Sequence, residues 1–364
     1  MSLGARRNAA IATVAATIVL MAVAACAQPA RPAAGPDGAG AGATAPAAAP
    51  APQHLRVGVA GVSAALAPVW IAAKGGLFQR YGLDVQPEVL QGGTPTIQGL
   101  LGGDYQFIET SGVDLLSARL GGADVRILGV HINTLPYSIV AGPEISEPTA
   151  LRGKRIAVSR VGTSSDFAVR YALDRIGLHA DSDVTIVGTG NQATRFAALK
   201  GGSVDAAVVS PPLNVLASKL GLREVVSLSG LGVEYAHEAV ATSGDYLKAH
   251  PETADAFLKG YVESLYLWKA DPARTKELLA DYLAFDPSAQ EEAQSLDETW
   301  IAYRDLLPDV PRPTWAGLDL IFKERPAGTD ENSGAGYAGL VDEGPLNQLE
   351  SSGFFDQMRA EYPR

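Results

Sequence analysis

The sequence nearly repeats itself at a constant shift of 99 residues. Residues 55–59 (LRVGV) return as residues 154–158 (KRIAV), and residues 100–111 align without a gap with residues 199–210. Each copy has the pattern strand, helix, strand, helix, strand, which forms a βαβαβ unit with a parallel sheet and helices on both faces. Two such units predict an α/β fold of two lobes with a cleft between them. In sheets of this kind, ligands bind beyond the carboxyl ends of the strands.

The ends of the two copies set the expected domain boundaries. We expect the first lobe to comprise residues 53–143 and 239–364, with a helical C-terminal region, and the second lobe to comprise residues 144–238. The chain would cross between the lobes near residues 141–145 and again near residues 235–240. Two crossings form a hinge, which allows the lobes to close around a ligand in the cleft.

The start of the chain has the features of a secretory signal. Arg6 and Arg7 precede an uncharged run over residues 9–25, and small residues lead to Cys26. This small-small-Cys pattern resembles a bacterial lipobox, so we expect residues 1–25 to be a lipoprotein-type signal peptide and Cys26 to carry the lipid. An ordinary cleavage site beside a cysteine is the alternative. A membrane-spanning anchor is disfavoured because the run is short and lacks a stop-transfer flank.

Residues 26–52 consist almost entirely of Ala, Pro and Gly. Such a segment cannot bury a hydrophobic core, and we expect it to be a disordered tether. With a lipid on Cys26, the tether would hold the folded part of the chain at the extracytoplasmic face of the cell membrane.

Composition and charge disfavour several classes of function. The formal net charge of −11 argues against nucleic acid as a partner. Cys26 is the only cysteine, so the folded part has no disulfide, no thiol nucleophile and no cysteine metal site. The histidines have no metal-binding spacing, and no nucleophile motif is present. We therefore expect no catalytic residues, no metal and no cofactor.

Several short segments together resemble a known family. They combine apolar helix and strand residues with Gly-rich turns, and they are residues 67–72 (APVWIA), 75–78 (GGLF), 82–85 (GLDV), 102–107 (GGDYQF), 151–158 (LRGKRIAV) and 201–207 (GGSVDAA). Over residues 54–270 the chain resembles solute-binding proteins of ABC importers. More narrowly, it resembles the NMT1/THI5-like group, which includes nitrate, alkanesulfonate, taurine and thiamine-pyrimidine binding proteins. The resemblance implies a type II periplasmic-binding-protein fold that closes around one small molecule and delivers it to a membrane permease with its ATPase. We expect the chain to act as a monomer.

Two other functions remain open on the sequence. The same superfamily contains a yeast enzyme that makes the thiamine pyrimidine, so an enzyme of pyrimidine or thiamine precursor biosynthesis is one alternative. That branch uses a cysteine cluster, and this chain has no cysteine after Cys26. The other alternative is a sensor lobe that reports ligand occupancy to a separate signalling chain.

The candidate ligand-binding residues lie in loops that follow predicted strands, or near the expected hinge. Thr163, Ser164 and Ser165 begin a helix, where backbone N–H groups bind anions or carbonyl oxygens, although a simple N-cap is the alternative. Ser111 and Ser210 occupy matched positions in the two copies and are also candidate caps. The full set is Ser63, Trp70, Gly93, Glu109, Thr110, Ser111, Tyr137, Thr163, Ser164, Ser165, Asp166, Asn191, Ser210, Glu234 and Tyr235.

Glu109 is the most unusual member of this set, because it ends an otherwise apolar strand. A carboxylate at such a position must be paired, hydrated or used. It either pairs with an arginine such as Arg160 or accepts an N–H from the ligand. Asp166 and Glu234 are weaker candidates for the same role.

The chemistry of the remaining candidates predicts the class of ligand. Trp70, Tyr137 and Tyr235 would offer aromatic faces to a planar molecule, and Arg160 and Arg195 are the nearest basic groups. Because the candidate carboxylates would repel a bare oxyanion, we expect a small organic ligand with a planar or apolar part, either sulfonate-like or heterocyclic.

Overall fold

A computed structural model of the chain describes residues 51–323 and 339–363. The expected signal peptide at residues 1–25, the lipidation site Cys26 and nearly all of the expected tether lie outside the described residues. Within the two described ranges, no helix is both long enough and apolar enough to cross a membrane.

The described elements alternate as a two-lobed α/β protein requires. The strands are β1 (Gln53–Val59), β2 (Leu83–Val89), β3 (Phe107–Ser111), β4 (Val125–Ile132), β5 (Ser138–Ala141), β6 (Arg155–Val158), β7 (Thr185–Gly188), β8 (Ala206–Val209), β9 (Arg223–Ser227) and β10 (Glu238–Ser243). The helices are α1 (Pro68–Lys74), α2 (Gly93–Leu101), α3 (Gly112–Leu120), α4 (Ser164–Arg175), α5 (Gln192–Lys200), α6 (Leu213–Lys219), α7 (Gly244–Ala249), α8 (Pro251–Ala270), α9 (Pro272–Leu283), α10 (Gln290–Arg304), α11 (Trp315–Lys323), α12 (Gly344–Ser351) and α13 (Phe354–Glu361). Short 3-10 helices lie at Ala64–Leu66, Phe78–Tyr81, Pro148–Leu151 and Ser229–Leu231.

The strands form two mixed sheets with the same design, which confirms the predicted two-lobed fold. The first has the order β2-β1-β3-β10-β4 and the second the order β7-β6-β8-β5-β9. The three strands of each βαβαβ unit are parallel, and their register repeats as the sequence does. Val57 lies opposite Phe107 in the first sheet, and Ile156 lies opposite Ala206 in the second. Both residues of the second pair are 99 positions after those of the first.

Each sheet contains one antiparallel strand that the chain adds directly after it crosses from the other lobe. β5 follows β4 in the chain but pairs with β8 and β9, and β10 follows β9 but pairs with β3 and β4. Residues 138–141 therefore belong to the second lobe, not to the first as the sequence predicts. The first crossing lies at residues 133–137 instead of 141–145. Gly142 and Pro143, which lie in the expected first crossing at residues 141–145, are instead part of a turn within the second lobe.

Local sequence explains where many helices begin. The side chains of Ser111 and Asn191 accept hydrogen bonds from N–H groups in the first turns of α3 and α5, as N-caps do. Pro68, Pro251 and Pro272 occupy the first turns of α1, α8 and α9, where the missing N–H costs nothing.

The helical C-terminal region packs mainly on the first lobe. Phe257 of α8 is fully buried and stacks on Phe107 of β3, with ring centroids 3.9 Å apart, and on Phe78 at 5.0 Å. Tyr261, one turn further along α8, donates its hydroxyl hydrogen to Nδ1 of His131 on β4 at 2.5 Å. These contacts fix α8 to one face of the first sheet.

Candidate functional site

A cleft of about 320 Å³ lies between the two lobes. The first lobe contributes the loops after β1, β2 and β3, and the second lobe contributes the loops after β6, β7 and β8. Residues at the ends of the two crossings also line the cleft, namely Tyr137 before β5 and His237 and Glu238 at the start of β10. This is the position beyond the carboxyl ends of parallel strands where ligands bind in open α/β sheets.

Most of the candidate residues come together in this cleft. They lie at the end of a strand, at the start of a helix or, for Tyr137, in the first crossing, and they are Ser63, Gly93, Thr110, Ser111, Tyr137, Thr163, Ser164, Ser165, Asn191 and Ser210. Gly93 has a steric reason to be glycine, because a Cβ there would lie 2.2 Å from Oδ2 of Asp114.

Trp70 and Glu234 do not line the cleft. Trp70 faces the C-terminal helices, where its indole N–H donates to Asp281 at 3.0 Å and its ring lies 5.2 Å from the ring of Tyr282. Glu234 is exposed at the start of the return crossing. The sequence placed both residues near strand ends or the hinge, but it did not define the direction in which either side chain points.

Asp166 and Tyr235 also lie outside the cleft and belong to the opposite side of α4. Asp166 accepts the Gly162 N–H at 2.9 Å and pairs with Nε of Arg170 at 3.0 Å. Tyr235 is fully buried and stacks on Phe167, with ring centroids 4.8 Å apart. Asp166 thus has hydrogen-bond partners within the protein, and Tyr235 packs against α4.

Glu109 is fully buried on the face of β3 that packs against α1 and α8, not on the cleft face. Burial raises the pKa of this carboxyl well above its usual value, opposed in part by the Val69 N–H and the Tyr261 hydroxyl. Its Oε1 lies 3.7 Å from Nε2 of His131, whose pKa burial lowers to about 4. At neutral pH the imidazole is therefore neutral and gives Glu109 no positive counter-charge. Arg160 is 60% exposed and lies near Asp114, so the pair between Glu109 and Arg160 that the sequence suggests does not form.

We expect Glu109→Gln to change the pH dependence of stability, not ligand affinity. The folded state keeps a proton that the unfolded chain loses above pH 4.5, so wild-type stability falls as pH rises from 4.5 toward the raised pKa. The variant lacks this titration. Its free energy of unfolding relative to the wild type should therefore rise by up to about 1.4 kcal/mol per pH unit in that window.

Denaturant unfolding of the unliganded proteins between pH 5 and pH 8 measures this gain. Glu88→Gln is the matched control, because the exposed ion pair with Arg56 lowers the pKa of Glu88 and its contribution is lost as pH falls. Parallel curves for Glu109→Gln and the wild type would show that Glu109 is not protonated in the folded state.

The amino ends of four helices converge on the cleft. Gly93 begins α2, Ser111 caps α3, Thr163 precedes α4 and Asn191 caps α5. No side chain caps α2 or α4, so the first N–H groups of these two helices are available to another acceptor. Helix amino ends carry partial positive charge, and their convergence favours a negatively charged group between them.

Arg195, in the first turn of α5, is the central charged residue of the cleft. Its side chain is buried, with a relative exposure of 2%. Nε donates to the Val208 carbonyl at 2.8 Å and Nη1 donates to the Gly190 carbonyl at 3.0 Å. Among the described residues, no carboxylate forms an ion pair with Arg195, and Nη2 makes no hydrogen bond. Burial lowers the pKa of this guanidinium, opposed by Tyr137, but arginine stays protonated at neutral pH.

Four buried polar atoms of cleft residues have no hydrogen-bond partner in the described structure: Oγ1 of Thr110, Oγ of Ser164, Nδ1 of His237 and Oε2 of Glu238. Burial raises the pKa of Glu238 well above its usual value, and the nearby Glu109 and Asp114 carboxyls raise it further. Burial also lowers the pKa of His237 to about 3. A protonated Glu238 and a neutral His237 are hydrogen-bonding groups without charge.

Asp114, His237 and Glu238 line the cleft but are not in the set predicted from the sequence. His237 and Glu238 are polar residues at the start of an apolar strand inside the expected second crossing, which is a signal that could have identified them. Asp114 is in the first turn of α3, where its carboxylate accepts from the Ser111 hydroxyl at 2.7 Å. Burial raises its pKa, and Ser111 and Arg160 oppose that rise.

The two lobes also touch across the mouth of the cleft. Nη1 of Arg160 donates to Oγ1 of Thr94 at 3.2 Å, and Nη2 lies 3.6 Å from Oδ1 of Asp114. Nδ2 of Asn191 donates to Oε1 of Gln91 at 3.1 Å. Arg160 has 60% of its side chain exposed, so it acts at the rim of the cleft and Arg195 acts inside.

The model of the family described as NMT1/THI5 like matches residues 63–275, which run from the loop after β1 into α9 and include most of the cleft. The chain belongs to the NMT1/THI5-like family. The match confirms the resemblance inferred from the short segments of the sequence.

Known proteins that are similar to this NMT1/THI5-like chain support the assignment of its fold. A Brucella abortus (strain 2308) protein whose name describes it as a binding protein, without a ligand, is 25% identical over 59% of this chain and 67% of its own length. The alkanesulfonate-binding protein SsuA of Xanthomonas axonopodis pv. citri, solved with MOPS bound, has a TM-score of 0.61 and 20% identity over 87% of this chain and 96% of that chain. The nitrate-binding protein NrtA of Synechocystis PCC 6803 has a TM-score of 0.59 and 16% identity over 68% of this chain and 70% of that chain. These structures confirm the type II periplasmic-binding-protein fold.

Proposed function

We propose that this chain is the solute-binding protein of an ABC importer and that it binds a small organic anion in the cleft. The observation that carries the proposal is Arg195, a buried guanidinium at the point where four helix amino ends meet, with no carboxylate partner within residues 51–323 and 339–363. A buried charge is stable only when another group compensates it. An anionic ligand supplies that compensation and accepts the free Nη2 hydrogens.

The placement of the acidic residues favours an anion over the amine or heterocycle considered from the sequence. The carboxylates that motivated that interpretation, Glu109, Asp166 and Glu234, do not line the cleft. Asp114 does, but it accepts from Ser111 and lies near Arg160. Glu238 is the other cleft carboxyl, and its raised pKa favours a protonated group that donates to a ligand oxygen.

The size and walls of the cleft favour an organic ligand over a bare oxyanion. A volume of about 320 Å³ is typical of sites for small organic molecules. Val62, Leu66 and Tyr137 give it an apolar side opposite the hydroxyl-rich loop of the second lobe. The similar structures of alkanesulfonate-binding and nitrate-binding proteins support an anionic head group.

A panel of matched probes tests the ligand class. We expect butanesulfonate, benzoate or both to raise the melting temperature, because a ligand at 100 times its Kd stabilises the folded state by about 2.7 kcal/mol. Butanesulfonamide, benzamide and benzylamine have similar shapes without the negative charge and should give no shift. Sulfate and nitrate carry negative charge but have no apolar part, so they show whether charge alone is sufficient for binding. A shift with benzylamine alone would overturn the proposal.

Ligand binding should stabilise the lobe contacts across the cleft. The rim contacts of Arg160 and Asn191 join the lobes only when the cleft is closed, so a ligand that bridges the lobes favours the closed form. Small-angle scattering of the purified protein should show a smaller radius of gyration in a saturating active probe than in its absence. An identical profile under both conditions would contradict ligand-driven closure.

We also propose that the protein is exported and lipid-anchored at Cys26, on the extracytoplasmic face of the membrane, where it delivers the anion to a permease. The signal pattern of residues 1–25 and the Ala/Pro/Gly tether support this location. Cys26→Ser should move the protein from the detergent phase to the aqueous phase, or leave it unprocessed. Mass spectrometry of the mature N-terminus decides the matter, since an unmodified peptide that starts elsewhere is incompatible with the anchor.

A further inference from the structure

A second cavity, of about 630 Å³, lies between α3 of the first lobe and α4 of the second. We call it the side groove. One wall is the face of α3 with Val113, Leu116, Ser117 and Leu120, which are spaced as one helix face requires. The other wall is formed by α4 and the loop before it, and its lining side chains include Val161, Phe167, Tyr171 and, from neighbouring elements, Tyr235 and Ile321.

The side groove continues from the cleft. Both α3 and α4 begin at the cleft, at Ser111 and Thr163, and the groove runs between the bodies of the same two helices. Thr163 lines both cavities. The groove therefore begins beside the helix amino ends that converge on the cleft.

A run of packed aromatic rings forms the wall between the two cavities. The ring of Tyr137, in the cleft, lies 5.1 Å from the ring of His237, which lies 6.3 Å from that of Tyr235. Tyr235 stacks on Phe167 at 4.8 Å, and Phe167 stacks on Tyr171 at 5.7 Å in the groove. Aromatic walls of this kind bind flat or flexible apolar groups.

The charged groups of the side groove satisfy one another. Asp166 accepts from the Gly162 N–H and from Nε of Arg170, and Nη1 of Arg170 pairs with Asp181 at 2.8 Å. Among the described residues that line the groove, no buried charge lacks a counterion, unlike Arg195 in the cleft. Its open surface is apolar, and Val161 has a relative exposure of 60%.

We propose that the side groove binds the apolar tail of an organic anion whose charged head lies in the cleft. This inference rests on the proposed function for the head group. It adds that the ligand is an amphiphile with a chain or aryl group long enough to pass Thr163 and lie between α3 and α4.

Linear alkanesulfonates of two, four, six, eight and ten carbons test the length dependence by calorimetric titration below their critical micelle concentrations. We expect affinity to rise by roughly threefold to fourfold per methylene beyond the cleft, as burial of a CH₂ predicts. Ser117→Trp places an indole in the groove from an exposed position on α3 and should abolish this rise, with affinity for ethanesulfonate within twofold of the wild type. Ser351→Trp, at an exposed position on α12, is the matched control and should keep the rise.

A neutral probe separates failure of the groove from failure of the proposed head-group site. N-phenyl-1-naphthylamine should fluoresce on binding to the wild type and to Ser351→Trp, but not to Ser117→Trp. If this pattern holds while no sulfonate binds, the groove stands as an apolar site, but its link to an anionic head is overturned. The proposed anion function is overturned as well only if benzoate also fails to bind. If sulfonates bind with no dependence on length and both variants bind the probe equally, the groove proposal is overturned and the anion function stands. A thermal melt of Ser117→Trp verifies folding, and Tyr171→Ala, which removes part of the wall, should weaken long-chain binding independently.

Discussion

Arg195→Ala is expected to reduce affinity for the anion that binds most tightly in the probe panel by about 30-fold or more, because truncating a buried charged hydrogen-bond donor typically costs 2–5 kcal/mol. The guanidinium is buried, it is fixed by the Val208 and Gly190 carbonyls, and it has no carboxylate partner among the described residues. The ligand therefore supplies its counter-charge. Titration calorimetry of the variant with butanesulfonate and benzoate measures the loss.

Two variants control for the role of Arg195 in holding its loop. Arg195→Lys keeps the charge but cannot hold both carbonyls as the guanidinium fork does, so its affinity should lie between the wild type and Arg195→Ala. Arg160→Ala removes a rim charge that is 60% exposed and should cost no more than about tenfold. Binding by folded Arg195→Ala within threefold of the wild type would show that the anion does not contact this residue.

Phe257→Ala is expected to lower the free energy of unfolding by about 3–5 kcal/mol, the usual cost of removing a buried phenylalanine ring. The ring is fully buried and stacks on both Phe107 of the first sheet and Phe78 of the first lobe. Its removal leaves a cavity between α8 and the sheet. We expect a fall in Tm of roughly 5–10 °C for a chain of this size.

Equilibrium denaturation of Phe257→Ala and of Ile301→Ala separates this contact from general effects of truncation. Ile301 is a large apolar residue on α10 with 49% exposure, and its truncation should change stability by no more than about 0.5 kcal/mol. A loss below 1 kcal/mol in Phe257→Ala would mean that α8 does not depend on this stack for its attachment.

The lobes of the fold follow from the repeat because strand pairing depends on position along the chain. Arg56 N–H donates to Oε1 of Gln106 at 2.9 Å, and Arg155 N–H, 99 residues later, donates to Oδ2 of Asp205 at 2.8 Å. A constant shift thus reproduces even a side-chain contact between strands. The crossings were harder to place. The apolar sequence of β5 would fit a buried position in either sheet, and only its pairing with β8 and β9 assigns it to the second lobe.

Much of the cleft could be predicted for a related reason. The carboxyl ends of parallel strands meet at one edge of a sheet, so residues that follow strands, such as Ser63, Ser111 and Thr163, come together whatever the rest of the chain does. The capping role of Ser111 was also visible, because a serine before a helix is a standard N-cap.

The sequence by itself determined two α/β lobes, the edge at which they meet and the polar loops along that edge, because these follow from hydrophobic period and chain position. The tertiary structure alone decided which way each side chain points. Neighbours in a strand face opposite sides, so Thr110 lines the cleft while Glu109 is buried against α1 and α8. It also decided that no carboxylate in the described part of the chain pairs with Arg195 and that Glu238 joins the cleft, because both depend on segments far apart in the chain.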